Sequence, residues 1–194
     1  MKKVLISAFE PFGGLTLNSS LLVQQGLKLI YKNIEVSKIA LPVLYKTAFD
    51  KLLLKIDEEK PDAVLCMGQA GGRQKISVER IAVNINNGII ADNGGTLKTD
   101  EIIVDSGPEA YFTNLPYKAM IDAADDKVAI SYSAGTYICN DIFYRLMYHI
   151  KTADLNIKGG FLHLPYTEHS DRMPFIDIKT QVMIVESMLA VLGE

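Results

Sequence analysis

The chain has 194 residues, of which 48% are hydrophobic and 22% are charged, a composition typical of a globular protein with a substantial core. Its net charge of −3 argues against nucleic acid or an anionic membrane surface as a partner. Every apolar run is shorter than the roughly 18 residues of a membrane-spanning helix. We therefore expect one cytoplasmic domain over residues 1–194.

Short apolar runs alternate with helical patterns from the N-terminus onward. The first run is too short for a signal peptide and predicts a strand over residues 4–9. The spacing of apolar residues then predicts a helix capped by Ser19 or Ser20 and running to about Ile30, a strand over 35–41, a helix over 47–58 and a buried strand over 63–67. A glycine loop over 68–73 leads to a longer, half-exposed strand over 76–85.

The second half of the chain opens with an Asn-, Asp- and Gly-rich stretch over residues 86–107. A loop of this length is often functional. The elements predicted after it are one or two short helices over 108–124, a strand over 128–131, a helix over 138–150, a strand over 157–162 and a closing helix over 178–192.

This alternation predicts an α/β sandwich with a mainly parallel sheet. In such sheets the ligand site lies at the carboxyl ends of the strands. We therefore expect the loops 9–14, 68–73 and 133–139, together with His163, to meet at one edge of the sheet.

Cys139 is the strongest candidate for a chemical role. It follows the turn Ser133-Ala134-Gly135-Thr136 and falls in the first turn of a predicted helix. Unpaired N–H groups at a helix start favour a thiolate. His163 lies near the end of a later apolar run, and a cysteine and a histidine in these settings suggest a cysteine hydrolase.

Other polar residues give weaker signals. A cysteine–histidine pair needs a third group to orient the imidazole. The strand over 76–85 offers Glu79, although a glutamate beside Arg80 is also typical of a solvated ion pair. Cys66 lies in an apolar run, which predicts that it is a buried core residue and does not form a disulfide. The glycine loops lack both nucleotide-binding motifs, and no spacing is typical of a zinc site, so no cofactor or metal is predicted.

With these residues in view, the chain resembles the pyroglutamyl-peptidase I family of cysteine peptidases. The resemblance runs nearly end to end. Its longer blocks are Phe9-Glu10-Pro11-Phe12-Gly13-Gly14, Gly68-Gln69-Ala70-Gly71-Gly72-Arg73, Glu79-Arg80-Ile81-Ala82, Ala134-Gly135-Thr136-Tyr137-Ile138-Cys139-Asn140 and Gly160-Phe161-Leu162-His163-Leu164-Pro165-Tyr166. Shorter matches connect these blocks at Asn18, 41–42, 92–93, 107–108, 110–111 and 115–116.

The resemblance implies a three-layer α/β/α sandwich with a mainly parallel, mixed central sheet. It implies a cysteine peptidase without a cofactor that removes an N-terminal pyroglutamyl residue from peptides, and a homo-oligomer, either a tetramer or a dimer. The residues matching the family's catalytic triad are Glu79, Cys139 and His163.

The resemblance also implies a substrate pocket. Phe9 and Phe12 would flank the pyroglutamyl ring, Gln69 would meet the lactam through its backbone, and Tyr137 and Ile138 would line the wall beside the nucleophile. Asn18 matches a family position near that pocket.

One departure concerns the transition state. Family members have an arginine in an Ala-Arg-Ile-Pro-Asp-Asn context that helps to stabilise the oxyanion, whereas this chain reads Gly88-Ile89-Ile90-Ala91-Asp92-Asn93. Loss of one oxyanion donor costs about 2.7–4 kcal/mol in the barrier. A binding protein descended from such a peptidase therefore stays open as an alternative. A nucleoside phosphorylase-like enzyme is a second alternative, because a similar sandwich can bind nucleosides, but it would leave Cys139 without a role.

Overall fold

A computed structural model gives the structure of the protein and describes residues 1–124 and 126–194. The elements within these residues are, in chain order, β1 (Lys2–Phe9), α1 (Ser19–Gly26), β2 (Ile30–Tyr31), β3 (Ile34–Leu41), α2 (Thr47–Glu59), β4 (Ala63–Gln69), β5 (Ile76–Glu79), β6 (Ile81–Val83), β7 (Ala110–Phe112), α3 (Tyr117–Asp122), β8 (Val128–Ser131), α4 (Ile138–Thr152), β9 (Lys158–Leu164) and α5 (Ile178–Leu192). A short 3₁₀ turn spans Glu168–Ser170.

Seven strands form the main sheet in the order β2-β3-β1-β4-β9-β5-β8. Strands β1, β3, β4 and β9 are parallel, and β2, β5 and β8 run the opposite way. Strands β6 and β7 pair in a separate small sheet. The mainly parallel, mixed sheet expected from the sequence is thus confirmed.

The sheet is buried on both faces because successive side chains of a strand point to opposite sides. On β1, Val4 and Ile6 pack in one core with residues of α1 and α5, whereas Leu5 packs in the other core with residues of α2 and α4. Both cores contain fully buried side chains. Helices therefore cover both faces of the sheet, which gives the three layers that the family resemblance implied.

The strand predicted over residues 76–85 is wrong in its length and exposure. It divides after Glu79, where the Arg80 N–H donates to Ser131 O and the Arg80 carbonyl accepts from Thr113 N. All four residues of β5 are buried in the main sheet, and the chain then leaves that sheet to form β6. One alternating pattern thus covers two strands of different sheets. The spacing of apolar residues does not change at Glu79, so it could not predict that the strand divides there.

Two helix predictions are also corrected. The segment predicted as one or two helices over 108–124 forms β7 and then α3, because pairing with β6 fixes residues 110–112 as a strand. Helix α1 ends at Gly26 rather than near Ile30. A Cβ at Gly26 would lie 2.8 Å from Val182 Cγ2, so the glycine allows α1 to pack closely on α5.

The expected meeting of loops at one edge of the sheet holds for β1, β4 and β9, which are parallel. The common strand direction expected as its cause is wrong for β8, which is parallel to β5 and therefore antiparallel to β9, yet Tyr137 and Cys139 still lie beside Phe9 and Gln69. Residues 132–137 must carry the chain back from the end of β8 to the start of α4. None of the described helices is long and apolar enough to span a membrane.

Candidate active site

Cys139 is the second residue of α4, as its place after a glycine-containing turn predicts. Tyr137 is the N-cap residue, and within the described chain no side chain caps this end of the helix. The first N–H groups of a helix have no intrahelical partner. Cys139 therefore lies among backbone N–H groups that can stabilise a negative charge.

The sulfur of Cys139 lies over β4. A Cβ built on Gly68 would be 2.8 Å from Cys139 Sγ and 2.8 Å from Phe161 Cζ, so only a glycine leaves room for both side chains. Gly68 is also the register partner of His163 on β9. The sulfur therefore lies over β4 at the same position along the sheet as His163 on β9. Neighbouring strands lie about 4.8 Å apart.

Glu79 and His163 meet across the antiparallel pair β5–β9. Ser77 is the register partner of His163 and Glu79 that of Phe161, so Glu79 and His163 are diagonal neighbours on one face. His163 Nδ1 and Glu79 Oε1 are 2.7 Å apart. A carboxylate acceptor places the proton of a neutral imidazole on Nδ1 and leaves Nε2 as the basic nitrogen.

Glu79 is fully buried, and its cationic partner is Arg73 rather than Arg80. Arg73 Nη1 lies 2.8 Å from Glu79 Oε1, the oxygen that also bonds His163. The guanidinium of Arg80 instead lies 4.5 Å and 4.6 Å from the ring centroids of Phe112 and Tyr117. The solvated Glu79–Arg80 pair considered from the sequence is thus not formed, and the contact of Arg73 was missed because it joins a loop to a strand.

Burial sets the protonation of the two reactive groups. It raises the pKa of the Cys139 thiol to about 12, and the negative charge of Glu79 adds to the increase, whereas Arg73 opposes it. Burial also lowers the pKa of His163 below its usual 6.5, against the raising effect of Glu79. At neutral pH the pair is therefore a thiol and a neutral imidazole, and burial outweighs the preference for thiolate that the helix start predicts.

A narrow apolar pocket opens beside the sulfur. Its lining residues are Phe9, Phe12, Asn18, Val43, Gln69, Tyr137, Ile138 and Cys139. The structure thus brings together all six residues proposed for substrate binding, and it adds Val43, which only its hydrophobicity could have indicated. A larger, more polar cavity of about 140 Å³ lies at the opposite end of the sheet, beside Lys3 and Glu35, far along β1 from this pocket.

The polar side chains of the pocket are held by the protein itself. Asn18 is the N-cap of α1, in place of the predicted Ser19 or Ser20, and its Oδ1 accepts from Ser20 N at 3.0 Å. Gln69 Oε1 accepts from Ser19 N at 2.9 Å. These bonds fix the start of α1 against the end of β4, so that residues distant in sequence form one wall.

The long stretch 86–107 forms the other rim of the site. Asn87 and Thr136 exchange two hydrogen bonds, Asn87 N to Thr136 O at 2.7 Å and Thr136 Oγ1 to Asn87 O at 2.8 Å. Tyr137 donates its hydroxyl proton to Ala91 O at 3.1 Å. Ile89 lies between these contacts, and its side chain is 98% exposed. The segment thus lies along the residues that lead into Cys139, as its length suggested.

Comparison with known proteins assigns the chain. A family model described as pyroglutamyl peptidase matches residues 2–191. The chain belongs to the pyroglutamyl peptidase family. The family expected from the sequence motifs is thereby confirmed.

Named relatives of this pyroglutamyl peptidase family member are similar over almost the whole chain. A pyrrolidone-carboxylate peptidase of Brachyspira hyodysenteriae is 43% identical over 190 residues, which cover 96% of this chain and 94% of the relative. One of Thermosipho melanesiensis is also 43% identical, over 86% of this chain and 84% of the relative.

Solved structures agree with the family fold. Pyroglutamyl peptidase I of Bacillus amyloliquefaciens superposes with a TM-score of 0.94 at 33% identity, covering 99% of this chain and 95% of that one. Pyrrolidone carboxyl peptidase of Thermococcus litoralis also gives a TM-score of 0.94, at 35% identity over 98% of this chain and 93% of that one.

Proposed function

We propose that this pyroglutamyl peptidase family member hydrolyses the amide bond after an N-terminal pyroglutamyl residue of peptides and proteins, with Cys139 as the nucleophile. The observation that carries the proposal is the position of Cys139. Its thiol borders an apolar pocket and sits over Gly68, the register partner of His163, which bonds Glu79.

The pocket suits a pyroglutamyl ring. Pyroglutamate is a small, uncharged lactam, and sites for such groups combine apolar walls with a few polar contacts. The rings of Phe12 and Tyr137, 6.3 Å apart between centroids, belong to such walls. An ordinary N-terminus carries a charge whose desolvation in this pocket would be costly, so it is rejected. The substrates are therefore peptides whose N-terminus has cyclised.

The reaction follows from the groups around the sulfur. As Cys139 Sγ attacks the scissile carbonyl carbon, its proton passes to Nε2 of His163, and Glu79 stabilises the imidazolium through Nδ1. The imidazolium then protonates the departing amine, the C–N bond breaks and a thioester remains. Water, deprotonated by His163, attacks the thioester and releases pyroglutamate and the free thiol.

The oxyanion formed in each step carries a full negative charge. The start of α4 presents backbone N–H groups, including that of Cys139, to this charge. The arginine that family members place in this region is replaced by Ile89. Backbone donors thus carry most of the stabilisation, and we expect a slower enzyme rather than an inactive one.

The remaining parts of the proposal rest on the family resemblance. We propose that residues 1–194 act as one catalytic domain, that the protein works in the cytoplasm, and that it assembles as a homo-oligomer, either a tetramer or a dimer. Sedimentation of the purified protein measures the last point. A sedimentation coefficient of the monomer at micromolar concentration would contradict it.

Substitution of the nucleophile tests the activity. We expect Cys139→Ser to reduce the release of a chromogenic amine from a pyroglutamyl amide by at least about 1,000-fold, because an alcohol is a far weaker nucleophile than a thiol in a site built for sulfur. Circular dichroism should show an intact fold. Full activity in Cys139→Ser would refute the assignment.

Cys66 supplies the matched control. It is completely buried in β4, and burial raises the pKa of its thiol to about 12, which makes it inert. Cys66→Ala should keep turnover while losing some stability. The two alternatives give other outcomes: a binding protein would bind pyroglutamyl peptides without turnover, and a phosphorylase-like enzyme would keep its activity after alkylation of Cys139.

A further inference from the structure

Arg73 ends the glycine loop between β4 and β5 and contacts two parts of the site that are far apart in sequence. Nη1 lies 2.8 Å from Glu79 Oε1 on β5. Nη2 donates to the carbonyl oxygen of Ser133 at 3.2 Å, in the segment that leads to Cys139. One guanidinium therefore links the carboxylate behind the imidazole to the segment that carries the sulfur.

We infer that Arg73 is a positioning residue of the hydrolysis, which holds the Glu79–His163 pair and the Cys139 segment in register and sets the charge balance between them. The inference rests on the proposed function. It adds a fourth side chain to the triad and assigns it a role distinct from that of an oxyanion donor.

The geometry around Glu79 supports this role. The carboxylate is fully buried, its Oε1 bonds His163 and forms an ion pair with Arg73, and its Oε2 has no hydrogen-bond partner among the described residues. A buried charge without a partner is strongly unfavourable. The Arg73 side chain is 28% exposed, so its guanidinium is partly hydrated and can compensate the carboxylate at a moderate cost of desolvation. Arginine suits this place because its planar group donates in two directions at once.

The charge of Arg73 also acts on the proton transfer. Two charged groups act on His163: Glu79 from β5, which raises the pKa of the imidazole, and Arg73 from the loop, which lowers it. Arg73 also lowers the pKa of Cys139, against the effects of burial, Glu79 and Cys66. Tyr137, at the start of α4, also interacts with the sulfur, and burial raises its own pKa to about 12. Burial is the main cause of the lowered pKa of His163, and the charge of Arg73 adds to that effect against Glu79.

The pH dependence of kcat/KM on a pyroglutamyl amide tests this role. Because neutral His163 must accept the thiol proton, the wild-type rate should fall on the acid side with a midpoint below pH 6.5. In Arg73→Gln the opposing charge is lost, so the pKa of His163 rises and the acid limb moves to higher pH. The rate at the optimum should fall about 10- to 100-fold, since the Cys139 segment is no longer fixed.

Two further variants separate charge from structure. Arg73→Lys keeps the charge but cannot bond Glu79 and Ser133 together, so it should lose rate while keeping the wild-type acid limb. Arg80→Gln is the matched control, because Arg80 is adjacent to Glu79 in sequence but packs on Phe112 and Tyr117. It should lower the melting temperature and leave the acid limb unchanged.

The outcomes are distinguishable. An inactive wild-type protein would overturn the proposed function itself. If the wild type is active and its acid limb coincides with that of Arg73→Gln, only the role of Arg73 is overturned. The same conclusion follows if the acid limb of Arg73→Lys moves as far as that of Arg73→Gln. Should Arg73→Gln fail to fold by circular dichroism, Arg73→Met, which keeps the aliphatic stem and also lacks the charge, provides the same comparison.

Discussion

Two local effects oppose each other at Cys139. The start of α4 favours a negative charge on the sulfur, whereas burial and the charge of Glu79 raise the pKa of the thiol to about 12. At neutral pH the nucleophile is therefore a thiol, and its proton must pass to His163 as the sulfur attacks.

The residue at position 89 offers a direct test of the oxyanion. Ile89 is 98% exposed, so its replacement removes little buried surface. We expect Ile89→Arg to raise kcat, by at most about 100-fold, because a guanidinium near the Cys139 segment adds a charged donor to the tetrahedral intermediate. Steady-state kinetics on a pyroglutamyl amide measure the gain, and the melting temperature should change little.

Ile89→Gln is the control for this prediction, since it supplies a shorter donor without a charge. It should leave kcat close to that of the wild type. If Ile89→Arg also leaves kcat unchanged, backbone N–H groups alone stabilise the oxyanion, and an arginine at position 89 adds nothing to the reaction in this chain.

At the scale of single elements, β4 determines where the sulfur lies. Cys66 and Gly68 lie two residues apart and face the same side of the strand, toward α4. Cys66 fills its part of that face, whereas Gly68 leaves a gap that the Cys139 sulfur and the Phe161 ring occupy. The strand thus forms the base of the site, and the missing Cβ of Gly68 leaves the space for the sulfur.

A methyl group at Gly68 should therefore displace the nucleophile. In Gly68→Ala the new Cβ would lie 2.8 Å from Cys139 Sγ, which must move. We expect kcat/KM on a pyroglutamyl amide to fall about 10- to 100-fold, because displacement of a reacting atom is enough to lose that much rate.

Gly26→Ala is the matched control, since its Cβ would approach Val182 Cγ2 to the same 2.8 Å, between α1 and α5. It should lower the melting temperature without changing kcat/KM. Equal activity of Gly68→Ala and the wild type would mean that the sulfur does not depend on this gap.

At the scale of the whole molecule, the sheet separates two cores of different importance for the site. The core toward α2 and α4 contains Phe143, whose ring lies 6.2 Å from that of Phe161, and Phe161 lies 4.8 Å from the His163 ring. The core toward α1 and α5 contains Met188, which contacts the opposite face of the sheet. Stability depends on both cores, and the Cys139 sulfur packs against the core toward α2 and α4.

Truncation of each core should show this difference. Phe143→Ala should lower the free energy of unfolding by about 3–5 kcal/mol and Met188→Ala by about 2–5 kcal/mol, since both side chains are fully buried. Only Phe143→Ala should also reduce kcat/KM under conditions where both variants are folded. Urea unfolding and steady-state kinetics measure the two effects. Parallel losses of activity in both variants would contradict the separation.

Much of the fold follows from local patterns. Helix α5 begins and ends where the spacing of apolar residues predicts, and the long apolar runs of β1, β4 and β9 identify the buried strands. The short elements between Glu79 and Asp122 could not be predicted from local patterns, because their conformation depends on pairing partners that lie elsewhere in the chain. The same holds for β8, whose direction no local pattern specifies.

The sequence by itself determined the family, the α/β class and the identities of Glu79, Cys139 and His163 as candidates, because motif order and side-chain chemistry are properties of the chain. Only the tertiary structure decided how these groups are arranged. The antiparallel register of β5 and β9 brings Glu79 to His163, and the fold places Arg73, rather than its sequence neighbour Arg80, on the carboxylate. The physical reason is that protonation and orientation depend on burial and on distances across the sheet, which a linear pattern does not contain.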